Sequence, residues 1–156
     1  LSDESETSKP KGTVKNDEDG DTGQNTSSTN VKSAGIEIEF DFNSHKLRAD
    51  QLDKVSVLAA AFADDINAGK LYAIVGHTDG KGSDTYNCKL SAKRAATITS
   101  ALLVGGSKAY LQPIGVGEVL FKDAANPANA QNRRVSFLKL DDNAETVINA
   151  FKALCD

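Results

Sequence analysis

The chain predicts an α/β fold: a two-layer α+β sandwich with a mixed four-stranded sheet, helices mainly on one face, and an extra C-terminal helix. Three observations carry this expectation. Apolar and acidic residues alternate over 36–42, the period of a half-buried strand. Two longer segments, near 52–66 and 84–104, repeat apolar residues every three or four positions, the period of amphipathic helices. Short apolar runs bounded by glycine lie between and after them. The resulting order is β-α-β-α-β-β-α. Alternating units imply parallel strands joined by right-handed crossovers. Two long helices are too few for both faces of four strands, so one helical layer is the economical arrangement.

Each element has its own signal. Ile36, Ile38, Phe40 and Phe42 define the buried face of the first strand, with Glu37, Glu39 and Asp41 opposite. Leu52, Val55, Ala59, Phe62 and Ile66 share one face of the first helix, and Gly69 is placed to end it. Leu71 to Val75, closed by Gly76, reads as a central strand. Ser83 or Asp84 is placed to cap the second helix. There Leu90, Arg94, Ile98 and Leu102 recur every four residues beside Ala95 and Ala101, and Gly105-Gly106 stops the helix. Tyr110, Gln112 and Ile114 predict a third strand. Gly115 and Gly117 lead into a loop over 118–131, and 134–140 form a fourth strand. Asp142 and Glu145 have the spacing of a capping box, with Asp in place of Ser or Thr. Val147, Phe151 and Leu154 share one face of a last helix over 143–155.

The 156 residues suit one ordinary domain, here 35–156. Residues 1–34 hold seven acids and four lysines, net −3, and only Leu1, Val14 and Val31 as sizeable apolar side chains. Such a segment cannot offset its ordering entropy and reads as a disordered acidic tether spanning roughly 30–35 Å. Because the whole chain carries −4, residues 35–156 sum to about −1, which argues against nucleic-acid binding driven by positive charge. The longest apolar run, 57–63, is far too short to span a membrane. The chain begins with Leu and shows no signal peptide, so any membrane attachment is expected from an upstream segment. Asp17, Asp19 and Asp21 alternate as calcium-loop ligands do, but the closing bidentate Glu is missing, and a solvated acidic turn is the favoured reading. No metal is expected. Cys88 and Cys155 lack zinc-site spacing; either a bridge between them or two idle thiols fits the sequence.

No catalytic set emerges. There is no nucleophile elbow and no P-loop, and Gly115-Val116-Gly117 lacks both the third glycine and the following helix of a dinucleotide site. No enzyme activity and no cofactor are therefore expected. His77 stands two residues before Asp79, where strand geometry would put both on one side; a structural histidine is the favoured reading. More informative are Asp79, in the loop after the second strand, and Arg94, fifteen residues on in the following helix. Ligands of α/β sheets bind outside the carboxyl ends of strands. A helical Arg reaches back toward its helix N-terminus, hence toward that loop. The two suit a clamp on a zwitterion, Asp79 taking an ammonium and Arg94 a carboxylate. From spacing alone, an intramolecular ion pair that ties the loop to the helix is the favoured reading.

Several motifs, in order and at matching spacing, resemble the OmpA-like C-terminal domain family. They are Phe40-Asp41-Phe42-Asn43, Gly76-His77-Thr78-Asp79, Gly82-Ser83, Tyr86-Asn87, Leu90-Ser91, Arg94-Ala95, Gly115-Val116-Gly117-Glu118 and Asn132-Arg133-Arg134-Val135. The resemblance covers about 36–140 and implies a βαβαβ-β fold. It implies non-covalent binding of peptidoglycan through the zwitterionic end of diaminopimelate in the peptide stem. Asp79 matches the family's ammonium-pairing Asp and Arg94 its carboxylate-gripping Arg. Asn87 and Leu90 match pocket-wall positions, and Asn43 a peptide-contacting one; Thr78, inside the Gly-His-Thr-Asp run, joins them. Arg133 and Arg134 match the closing arginines. As strand neighbours they point to opposite faces, so at most one lines the pocket; Arg133 is put forward as the candidate, and the sequence does not decide between the two. The chain departs from the family at Val119-Leu120, where a Pro is frequent, and at Ser136, where a Glu is frequent.

The expected role is anchoring of an outer-membrane or periplasmic component to the cell wall. The domain would sit in the periplasm, attached to the outer membrane through upstream sequence, as a monomer or weak dimer without nucleic-acid partners. The alternative is a protein–protein interaction or dimerisation module of a stator or secretion assembly. Substitution of Asp79 or Arg94 by Ala is expected to remove wall binding and leave the fold intact.

Overall fold

The computed structural model describes residues 35–156, together with 16–17 and 20–21. The latter form a two-residue antiparallel pair, with Asn16 opposite Asp21 and Asp17 opposite Gly20. The tether and acidic turn expected over 1–34 otherwise lie outside the described residues. Ile36–Asp156 cluster as one unit. Its strands are β1 (Ile38–Glu39), β2 (Leu71–Gly76), β3 (Tyr110–Gly115) and β4 (Arg134–Leu140); its helices are α1 (Leu52–Ala63), α2 (Asp84–Val104) and α3 (Ala144–Ala153). The sheet order is β1-β4-β2-β3. β2 and β3 run parallel, whereas β4 is antiparallel to both β2 and β1. This is a mixed sheet with three helices, the predicted class.

β2 is central and nearly fully buried because both its faces are covered. One face carries Tyr72 and Ile74; the ring of Phe62 from α1 meets Tyr72 edge-on at 4.8 Å. Val55, Leu58 and Phe62 of α1 and Leu90, Ala95, Ile98 and Leu102 of α2 are buried on this side. On the opposite face Ala73 and Val75 join Ile114, Val116 and Leu140, with Val147, Ile148 and Phe151 of α3 packed over them. The two long helices thus share a face, and the C-terminal helix adds a partial third layer. A disulfide between Cys88 of α2 and Cys155, just beyond α3, ties the two helical layers together. Closing so long a loop restricts the unfolded chain by about 4 kcal/mol in the loop-entropy picture.

Three predicted elements differ in extent. The first strand is shorter than its alternation: Ile38 and Phe40 are buried, but Phe42 is 57% exposed. The ladder stops because the chain turns at 41–44, with the Ser44 amide donating to Asp41 O and Asn43 at φ 59°. Asn tolerates that left-handed conformation better than most residues. The first helix ends at Ala63 and not near Ile66. Asp64 is extended, and its carboxylate accepts from the Ile66 amide, starting a separate turn of 3-10 helix. Ile66 and Leu52 are exposed, and Leu58, outside the predicted face, is buried in their place. The last helix has no Asp142 capping box: Asn143 is its N-cap and makes no side-chain cap bond. Leu154 falls beyond this helix and is partly exposed. Ser83 caps α2, accepting from the Tyr86 amide at 3.2 Å. Gly105-Gly106 ends α2 as a Schellman motif, the Ser107 amide reaching Leu102 O and that of Gly106 reaching Leu103 O, with Gly106 at φ 88°.

α2 lies against the sheet at two glycines that are register partners, Gly76 and Gly115. A Cβ on Gly76 would stand 1.9 Å from Ser91 O, and one on Gly115 would stand 2.4 Å from the Ala92 amide nitrogen. Both obstacles are helix backbone and cannot move independently of α2. Gly76→Ala is therefore expected to destabilise the domain by at least about 3 kcal/mol, read as a lowered urea midpoint; an unchanged midpoint would refute the close approach.

Candidate functional site

Close packing of α2 sets its first three turns beside the loops that leave β1 and β2. A pocket of about 300 Å³, counting the part open to solvent, lies there. The turn after β1 supplies Phe42 and Asn43. The β2–α2 loop supplies Thr78, Asp79, Lys81 and Gly82. One side of α2 supplies Tyr86, Asn87, Leu90 and Arg94, and Arg133 enters from just before β4. All seven residues singled out from the sequence, Asn43, Thr78, Asp79, Asn87, Leu90, Arg94 and Arg133, therefore line one pocket.

Arg94 is fully buried. Its Nε donates to Ser44 O at 2.8 Å, Nη1 to His77 O at 2.9 Å and Nη2 to Asp41 O at 3.0 Å, and its guanidinium stands 5.4 Å from the centre of the Phe40 ring. Burial lowers its pKa to about 10; repulsion from Arg133 acts in the same direction, and Asp79 opposes both. The group stays charged at neutral pH. Three of its five N–H donors hold backbone, leaving two with no partner among the described residues.

Asp79 is buried as well. Its Oδ1 accepts from the Lys81 amide at 3.0 Å, and its Oδ2 lies 3.3 Å from Arg133 Nη1. The acid's ion-pair partner is thus Arg133 and not Arg94, which corrects the ion-pair reading of the sequence. Arg133 Nε also donates to Phe40 O at 2.9 Å. Arg134 is directed elsewhere: its Nε meets Glu37 Oε2 at 3.1 Å. Asn87 donates from Nδ2 to Lys81 O at 2.9 Å and to Glu118 Oε1 at 3.0 Å, fixing the loop against α2. The Thr78 hydroxyl is buried with no hydrogen-bond partner among the described residues. His77 does not line the pocket; its Nε2 lies 2.9 Å from Ser136 Oγ.

Phe42, Lys81, Gly82 and Tyr86 belong to the lining but were not among the expected binding residues. Phe42 carried a misleading signal, because its alternation with Phe40 reads as core. Lys81 stands 5.2 Å over the Phe42 ring, a contact between two loops far apart in sequence. Tyr86 had the available signal of preceding Asn87 on the first turn of α2.

The fold and the pocket define an α/β domain with a charged pocket at its strand ends. The OmpA family model matches residues 39–134, and the chain belongs to that family. A putative lipoprotein, YfiB, from Escherichia coli is 33% identical over 104 residues, covering 64% of this chain and 63% of that protein. The peptidoglycan-associated lipoprotein of Legionella pneumophila is 33% identical, covering 53% of this chain and 54% of that protein. The chain thus spans less than two thirds of the length of these relatives. Among solved structures, the peptidoglycan-associated lipoprotein from Burkholderia pseudomallei is similar with a TM-score of 0.55 and 28% identity, over 69% of this chain and 92% of that one.

Two outcomes follow from this geometry. The Arg94→Ala variant, which the sequence reading expected to keep its fold, leaves three carbonyl groups without their donor. It should lose about 3–5 kcal/mol in chemical denaturation; a variant as stable as the parent would refute the structural role. His77 is held well below its usual 6.5, chiefly by burial and then by Arg134. The unfolded chain thus takes up a proton near pH 6.5 that the folded one resists, so this contribution is present above that pH and lost on acidification. Stability should fall by up to about 2 kcal/mol between pH 7 and pH 5, and His77→Gln should flatten that slope; an equal slope in both proteins would exclude His77 as its source.

Proposed function

We propose that the domain binds peptidoglycan non-covalently through the diaminopimelate of its peptide stem, and so anchors an envelope component to the cell wall. The observation that carries this reading is one pocket in which a buried carboxylate and two largely buried guanidinium groups meet. Asp79 takes the ligand's ammonium, sharing its charge with Arg133. Arg94 presents its two remaining donors to the carboxylate of the same zwitterion. The Thr78 hydroxyl gains the partner it lacks, while Asn43, Asn87 and Leu90 shape the wall. Burial strengthens each contact because few waters screen it. The names of the relatives from Legionella pneumophila and Burkholderia pseudomallei, both peptidoglycan-associated lipoproteins, support peptidoglycan as the polymer. On this reading the domain works in the periplasm, as a monomer or weak dimer and without catalysis. It is joined to the outer membrane through sequence upstream of it. Modest affinity suffices, because tethering raises the effective concentration at the wall.

Co-sedimentation with purified diaminopimelate-type sacculi tests this. The parent protein should pellet. Asp79→Asn keeps the size of the side chain but loses its charge, and should bind at least about tenfold more weakly while retaining its circular dichroism. Equal pelleting of both proteins would put the wall contact elsewhere. Failure of both to pellet would remove the peptidoglycan reading and leave an assembly module, which light scattering would report as a stable dimer.

A further inference from the structure

The charge inside the pocket is not balanced. Its lining holds one acid, Asp79, and three bases, Lys81, Arg94 and Arg133. Only Arg133 is paired with an acid, at 3.3 Å from Asp79. Arg94 is held by carbonyl oxygens, and Lys81 rests on the Phe42 ring with no carboxylate partner among the described residues. The lining therefore carries +2. Counting Glu118, which touches Asn87 from outside the lining, still leaves +1. A zwitterion with one ammonium and one carboxylate would leave that excess untouched.

We infer that Lys81 is a specificity-determining residue that reads a second carboxylate, so that the pocket selects stem peptides with more carboxylates than ammonium groups. This rests on the peptidoglycan reading and names the form of stem preferred: one whose acidic groups are free and not amidated. The geometry suits the role. Lys81 follows Asp79 by two residues, and the Lys81 amide is bonded to Asp79 Oδ1, so its backbone is fixed relative to the ammonium subsite. Its carbonyl is fixed too, by Asn87. Only the long side chain is left to move, from the face of Phe42 at the rim to an anion bound beside the clamp. The ring holds the ammonium ready without neutralising it. A free carboxylate then finds a cation already at the pocket, whereas an amide in its place gains no ion pair.

The test is titration calorimetry of the full chain with two soluble tripeptides. One is alanyl-γ-glutamyl-diaminopimelate with all carboxylates free; the other carries an amide in place of the glutamyl α-carboxylate. The parent protein should bind the free acid about fivefold more tightly, the size of one partly exposed ion pair, and added salt should narrow the difference. Lys81→Gln should bind both peptides alike, with the affinity of the parent for the amide. Equal binding of the two peptides by the parent, or an undiminished preference in Lys81→Gln, would overturn the inference while leaving the clamp intact. Binding of neither peptide by the parent would overturn the peptidoglycan reading itself and this inference with it.

Discussion

The buried guanidinium of Arg94 is the interaction on which fold and site both depend. Removing such a group from water is costly, and the cost is offset here by three carbonyl oxygens and an aromatic ring. Two of those carbonyls, of Asp41 and Ser44, bracket the turn that carries Phe42 and Asn43. The third, of His77, immediately precedes Thr78 and Asp79. One side chain on α2 therefore bonds directly to two loops that are far apart in sequence. Its two remaining donors are shielded from water with the rest of the group.

That arrangement requires α2 to sit unusually close to the strand ends. Gly76 and Gly115 leave the space, and Ser91 uses it. Its hydroxyl donates to Cys88 O at 2.8 Å and accepts from the Gly117 amide at 2.9 Å. The loop over 118–131 is secured differently, by the amide group of the fully buried Asn132. Its Oδ1 accepts from the Asp123 amide, and its Nδ2 donates to Asp123, Asn126 and Pro127 carbonyls. Pro127 O in turn accepts from the Gly80 amide, next to Asp79. Arg133 follows Asn132 directly. The acid and its partner are thus held from two directions by polar contacts within the protein, which offset the cost of keeping charged groups out of water.

The second face of the sheet plays no direct part in the pocket, yet it bears on the pocket's rigidity. With α3 packed over Ala73, Val75 and Ile114, the central strand β2 is buried on both sides, and its carboxyl end leads directly into the pocket-lining loop. The disulfide carries that layer across to Cys88, the residue after Asn87.

By itself the sequence determined the elements and their order, since side-chain periodicity is a local property of a strand or helix. It also identified the charged residues at the strand ends, because a loop acid and an Arg on the next helix need only spacing to be read together. It failed where local pattern competed with a distant contact. Phe42 has the alternation of a core residue but lies on the pocket rim, because the turn at 41–44 is held by Arg94 from fifty positions away. Only the tertiary structure decided which arginine pairs with Asp79, which of Arg133 and Arg134 meets the pocket, and that Lys81 faces it. Those outcomes depend on how three separate segments pack together, and pairing across such distances leaves no trace in the spacing of residues along the chain.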